Sequence, residues 1–208
     1  MAFSVADDVS PGFQEVAMDY GPKRLSDSTE LFHRDWRGME ASTLRVIFPV
    51  GGVAKRLRPL TAETSKAAVR LLNRPLIEFP MYSLAGQGVR NFIFGVKGFL
   101  NYRCLYDYFG EGLGFSARYG FQPRVHIKYQ PNIPDAGSAD SVRINLEYYD
   151  IRTPVFVAQG DNVCDVDLLE MMEAHVSKDA FMTIALKNVE ATEEFGVAEL
   201  GSEMRIKR

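Results

Sequence analysis

Three stretches of this 208-residue chain carry residue types that could handle a phosphorylated ligand. The first is Gly51-Gly52-Val53-Ala54-Lys55-Arg56-Leu57-Arg58-Pro59-Leu60-Thr61, with Ser65-Lys66-Ala67 shortly after it. Two adjacent glycines let the backbone turn tightly and bring its N–H groups close to an anion, where any side chain would collide. Arg56 and Lys66 offer cations to the same place. The alternative is a tight turn beneath a solvated basic face. The second stretch, Gln159-Gly160-Asp161-Asn162, presents a carboxylate beside a flexible glycine. A hard divalent ion such as Mg2+ prefers oxygen ligands and commonly takes one or two carboxylates together with phosphate oxygens and water. A turn residue or helix cap is the competing reading of Asp161. The third, Gly137-Ser138-Ala139-Asp140-Ser141-Val142, opens a helical segment with residues small enough to admit a planar ligand, or simply forms an ordinary helix N-terminus.

The histidines and cysteines add no further chemistry. His33, His126 and His175 do not cluster with Cys104 and Cys164 at ligand spacing, and two distant cysteines suggest neither a disulfide framework nor a zinc site. Cys164 follows Asp161 by three residues, but no base is visible to activate it. His33 and His175 read as surface residues and His126 as a strand residue. Asp165 and Asp167 read as the cap and start of the next helix, where negative charge complements the dipole.

The elements that must position these residues follow from the apolar pattern. Arg45-Val46-Ile47-Phe48-Pro49-Val50 is short and continuously apolar, as expected of a strand buried on both faces, with Pro49 near its end. Further strands are predicted at residues 91–96, 125–129, 154–158 and 180–186, and helices at 100–109, 139–148 and 166–176. Asn73-Arg74-Pro75 reads as a helix start. The helix it introduces either begins near Phe79, with Pro80 in its first turn, or is kinked there. Residues 110–120 read as a Gly-rich link. Such alternation implies crossover connections and an α/β, Rossmann-like, doubly wound and mostly parallel sheet with helices on both faces. In such a sheet ligands sit at the carboxyl ends of the strands, where the glycine loop and Asp161 would both emerge.

Composition bounds the rest. With 46% hydrophobic residues and a formal charge of −3, the chain reads as a soluble globular protein with no general affinity for nucleic acid polymers. No run approaches the roughly 20 apolar residues of a spanning helix, and no signal peptide is evident, so the cytoplasm is expected and a membrane is not. Residues 1–40 hold eight acidic against four Lys and Arg residues, and read as an N-terminal extension to one domain over 41–208. Leu31, Phe32 and Trp36 could anchor its end. Homo-oligomerisation is left open.

The order Gly-Gly, Arg56-Leu57, Pro59-Leu60-Thr61 and Lys66 resembles the sugar-1-phosphate nucleotidyltransferases, whose loop reads roughly GGxGTRLxPLT followed by PKP. Ala54 stands where that family has its next glycine, Lys55 where it has threonine, and Ser65-Lys66-Ala67 replaces Pro-Lys-Pro. Alanine keeps the N–H but would be strained if the position needs positive φ. The resemblance runs from about residue 44 to 208. It implies that Arg56 holds β/γ-phosphates, that Lys66 contacts the reacting phosphates, and that Asp161 carries Mg2+. It also makes Gly137 and Ser138 part of a nucleotide-binding G-T-A-x-A-[LV]-like stretch, with Gln130 as its base-reading partner, and Gly196 part of a sugar-pocket [YF]-G-V element. The implied reaction joins an NTP and a sugar-1-phosphate into an NDP-sugar and pyrophosphate, largely by positioning and electrostatics. The chain stops before the family's Glu-Lys-Pro-like segment and second metal-binding Asp, so the domain is expected to be truncated at its C-terminus. The alternative is a non-catalytic nucleotide or NDP-sugar binding or regulatory module. A dehydrogenase is disfavoured because G-x-G-x-x-G is missing.

Overall fold

The computed structural model describes residues 14–18, 41–52, 54–131, 136–189, 193 and 195–207. In chain order the strands are β1 (Gln14–Met18), β2 (Arg45–Val50), β3 (Arg70–Leu71), β4 (Arg74–Pro75), β5 (Asn91–Val96), β6 (His126–Pro131), β7 (Val155–Val157) and β8 (Met182–Leu186). The helices are α1 (Glu78–Gly86), α2 (Phe99–Phe109), α3 (Leu113–Tyr119), α4 (Ser138–Tyr148) and α5 (Leu168–Ser177). They fall into two compact units, Met39–Val163 and a second made of Met1–Gly38 with Cys164–Arg208.

The first unit is built on a parallel sheet in the order β6-β5-β2-β7. Its two inner strands are apolar on both faces because both faces are covered. Successive residues of a strand point to opposite sides. Ile47 and Ile93 face one side, where they pack with Ile151 and with Val142 and Leu146 of α4. Phe48, Phe92 and Phe94 face the other, where Phe94 meets Phe109 of α2 edge-on at 6.0 Å between ring centroids. The expected doubly wound architecture is therefore present. The chain steps outward from β2 to β5 and β6, then crosses back to place β7 on the other side of β2. That reversal opens a crevice between the carboxyl ends of β2 and β7.

Two local expectations are corrected. Asn73-Arg74-Pro75 does not start a helix. It belongs to the β3–β4 hairpin, whose turn residues Leu72 and Asn73 both have positive φ (50° and 64°), as a two-residue I′ turn requires. Helix α1 begins later, with Pro80 in its first turn, where the missing N–H breaks no intrahelical bond. The expected Gly-rich link contains α3, and its glycines flank the helix: Gly112 and Gly120 both take left-handed φ at its two ends. A side chain at Gly112 would also strike the Val125 carbonyl oxygen at 2.6 Å.

In the second unit β1 pairs antiparallel with β8, from Gln14 opposite Leu186 to Met18 opposite Met182. Asp167 caps α5 by accepting from the Glu170 N–H at 2.9 Å, as its sequence position suggested. His175 is half-buried and not a surface residue: its Nδ1 lies 2.9 Å from Thr183 Oγ1 and ties α5 to β8. The anchoring residues Leu31, Phe32 and Trp36, and His33 with them, lie outside the described residues.

Candidate active site

The glycine loop leaves β2 at Val50, whose carbonyl accepts from the Lys97 N–H at 2.8 Å. Gly51 and Gly52 are exposed, and a side chain at Gly51 would meet Lys97 Cβ at 3.0 Å, whereas Gly52 has open space around it. The chain then turns through Ala54 at φ 46° and ψ 46°, a left-handed conformation that costs an alanine roughly 1 kcal/mol. The expected strain is thus present and is held by local bonds. The Ala54 carbonyl accepts from the Leu57 N–H at 3.0 Å and from the buried Thr61 hydroxyl at 2.8 Å. Thr61 therefore closes the loop from its far end. Lys55–Leu57 forms a single 3-10 turn with Arg56 exposed on it.

Lys66 sits in a second 3-10 turn, Lys66–Ala68, anchored by buried Ala67 and by the Ile77 N–H donating to the Ala67 carbonyl at 3.0 Å. Its ammonium pairs with Asp161 Oδ2 just beyond β7. Gly160 makes this approach feasible. A Cβ there would lie 3.0 Å from Ile77 Cδ1 and 3.3 Å from Ala67 Cβ, so a larger residue would push the Lys66 turn away. The strand ends that the fold brings together thus carry a glycine loop, a lysine and a carboxylate. Lys66 and Asp161 remain 42% and 26% exposed, so the pair is open to ligand and solvent.

The other expected residues are distributed as follows. Gln130 is buried near the carboxyl end of β6, opposite Gly95 of β5. Gly137 has φ 136° and precedes α4, of which half-buried Ser138 is the first residue. Asp140 fastens this entry, with Oδ2 accepting from the Ala136 N–H at 3.0 Å and Oδ1 accepting from Arg143 at 2.8 Å. These two donors, the backbone one foremost, hold its carboxyl below the ordinary range. Gly196 belongs to the second unit, exposed between Phe195 and Val197. Cys164 is no activated nucleophile, because burial and then the Asp165 charge push its thiol up.

Sequence reasoning passed over Lys97. Its signal was a lysine directly after an apolar strand, in register with the first loop glycine. Across the carboxyl edge of the sheet the strands carry, in order, Gln130, Lys97, Gly51-Gly52 and Asp161.

For a divalent cation the donor set is one carboxylate. No group of three His, Cys, Asp or Glu side chains forms a cage among the described residues. Lys66 takes Oδ2 of Asp161 and leaves Oδ1 for a cation. This fits Mg2+ completed by phosphate oxygens and water, and does not fit an ion caged by protein alone. No helix among the described residues is long and apolar enough to cross a membrane.

A family model described as nucleotidyl transferase matches residues 46–208. The chain is 33% identical over 150 residues to the mannose-1-phosphate guanyltransferase of Yarrowia lipolytica, covering 71% of this chain and 39% of that protein. It is 30% identical over 155 residues to the enzyme of the same name from Aspergillus oryzae, covering 74% and 40%. It thus spans about 40% of the length of these curated relatives. The UDP-glucose pyrophosphorylase of Acinetobacter baumanii shares the fold, with a TM-score of 0.53 at 16% identity over 66% of this chain and 54% of that one. With the glycine loop, the Lys66–Asp161 pair and the match along residues 46–208 in agreement, the chain belongs to the nucleotidyl transferase family, among the sugar-1-phosphate nucleotidyltransferases.

Proposed function

We propose that this site serves nucleotidyl transfer from an NTP to a sugar-1-phosphate. An oxygen of the sugar phosphate attacks the α-phosphorus in line. A new P–O bond forms as the bond to pyrophosphate breaks, giving an NDP-sugar. The observation that carries the reading is the Lys66–Asp161 pair at the strand-order reversal, just beyond β7, whose neighbour β2 leads into Gly51-Gly52. The loop N–H groups face the phosphates, Arg56 holds the β/γ end, and Lys66 turns from Asp161 to the reacting phosphates. Asp161 would hold Mg2+, which when bound offsets phosphate charge. Gln130, Gly137 and Ser138 would receive the base, and Gly196, in the second unit, is assigned to sugar recognition by the [YF]-G-V resemblance alone. Such a site works by alignment and fixed charge, with no covalent intermediate.

The names of the relatives favour GTP and mannose-1-phosphate as the first pair to test. In this reading residues 41–208 form the nucleotidyltransferase module, residues 1–40 extend it, and the reaction runs in the cytoplasm. Pyrophosphate release measured over a panel of NTPs and sugar-1-phosphates tests it. The expected result is Mg2+-dependent NTP binding by this chain, with whatever turnover it supports confined to one nucleotide–sugar pair and abolished by Lys66→Ala. Tight NTP binding with no turnover for any pair would instead favour a nucleotide-binding module.

A further inference from the structure

Lys97 immediately follows β5, and its backbone N–H donates to the carbonyl of Val50, the residue before the glycine loop. The lysine stem lies along Gly51. A Cβ built on that glycine would meet Lys97 Cβ at 3.0 Å and Cδ at 3.4 Å. The ammonium is two bonds beyond Cδ, so it lies within reach of Gly51 at the start of the loop. This also gives Gly51 a second reason to be glycine, because any side chain there would displace the lysine.

Charge makes this placement consequential. A triphosphate brings several negative charges to the loop, and Lys66 is shared with Asp161 on the β7 side. Lys97 follows β5 and Asp161 follows β7, the strands on either side of β2, so the lysine leaves the sheet on the flank of the loop away from that carboxylate. We infer that Lys97 is a further phosphate-positioning residue, whose ammonium binds oxygens of the nucleotide triphosphate seated on Gly51-Gly52. The inference rests on the nucleotidyl transfer reading of the loop. An ammonium suits this role as a compact point charge on a flexible stem, able to follow phosphate oxygens as they move.

The test uses Lys97→Met in the full chain, which keeps the stem that packs on Gly51 and removes only the charge. Calorimetry would compare Mg2+-bound GTP, inorganic triphosphate and mannose-1-phosphate, with melting temperature as the control for folding. Binding of the first two ligands should weaken about tenfold. A shallower salt dependence, a cooperative melt that shows the variant folded, and unchanged affinity for the sugar phosphate are expected with it. Lys97→Arg should recover part of the loss, and Gly51→Ala should lower triphosphate affinity by displacing the stem. Wild-type triphosphate affinity in folded Lys97→Met would overturn the inference and leave the loop assignment standing. So would a loss confined to mannose-1-phosphate, which would give Lys97 to the other substrate. Failure of the unmodified chain to bind any triphosphate would overturn the loop assignment itself, and this inference with it.

Discussion

Lys66 and Asp161 are 95 residues apart and meet only because two turns converge on one sheet edge, with Gly160 leaving room for the contact. Each residue was legible as a candidate from its type and neighbours. Their pairing was not, since it depends on strand order. The loop itself shows what a departure from a family pattern means physically. Ala54 holds a left-handed conformation that glycine adopts without penalty, so Ala54→Gly should raise stability or leave it unchanged, by at most about 1 kcal/mol. Ala54→Val should cost more than that, because a β-branched side chain tolerates positive φ worst. Thermal melts of the two variants check both signs. Arg56 is exposed, so Arg56→Ala should leave the melting temperature unchanged while weakening triphosphate binding about tenfold in calorimetry. Equal affinity in that variant would remove Arg56 from the site.

At the scale of elements, β2 and β5 could be read almost to the residue because burial on both faces leaves a continuous apolar run. Shorter elements left no such signature. The β3–β4 hairpin has two residues a side, too few for any period, and its Leu72-Asn73 turn lacks the Asn-Gly or Asp-Gly pair that marks an I′ turn. Helix α3 was hidden by its own capping glycines. What holds it is Glu78 of α1, almost wholly buried, whose Oε1 accepts from Arg118 at 2.8 Å and from the Tyr119 hydroxyl at 2.5 Å. Glu78→Ala removes the shared acceptor and should destabilise the fold by about 1–3 kcal/mol in denaturant melts, the range for losing bonds to a charged group. Tyr119 adds a pH dependence. Burial, and then its bond to Glu78, push its hydroxyl up from 10.0 to about 12. The folded state thus keeps a proton that the unfolded chain releases. The stability this gives is full below pH 10 and is lost as pH rises through about 12. Tyr119→Phe should flatten that part of the alkaline decline in melting temperature, and an unchanged decline would show that Glu78 and burial do not hold the proton.

For the whole molecule, the doubly wound sheet of the Met39–Val163 unit and its carboxyl-edge crevice were legible from alternation of apolar runs and helical segments. The pairing of β1 with β8 was not, because residues 1–40 show no sustained period and their partner strand lies far along the chain. Membership of the family rests on the match over residues 46–208, whereas the proposed nucleotide site is argued from the geometry at the ends of β2 and β7. At that proposed site Asp161 would couple nucleotide to divalent cation. Asp161→Asn keeps the volume and removes the charge, and the exposed pair with Lys66 is worth no more than about 1 kcal/mol, so the fold should survive. The decisive measurement is calorimetric titration of an NTP, first GTP, into the unmodified chain and Asp161→Asn, each with and without Mg2+, at matched melting temperature. Mg2+ should strengthen binding markedly in the unmodified chain and hardly at all in the variant. Equal Mg2+ dependence in the two folded proteins would contradict it and leave Asp161 as a turn residue paired with a lysine.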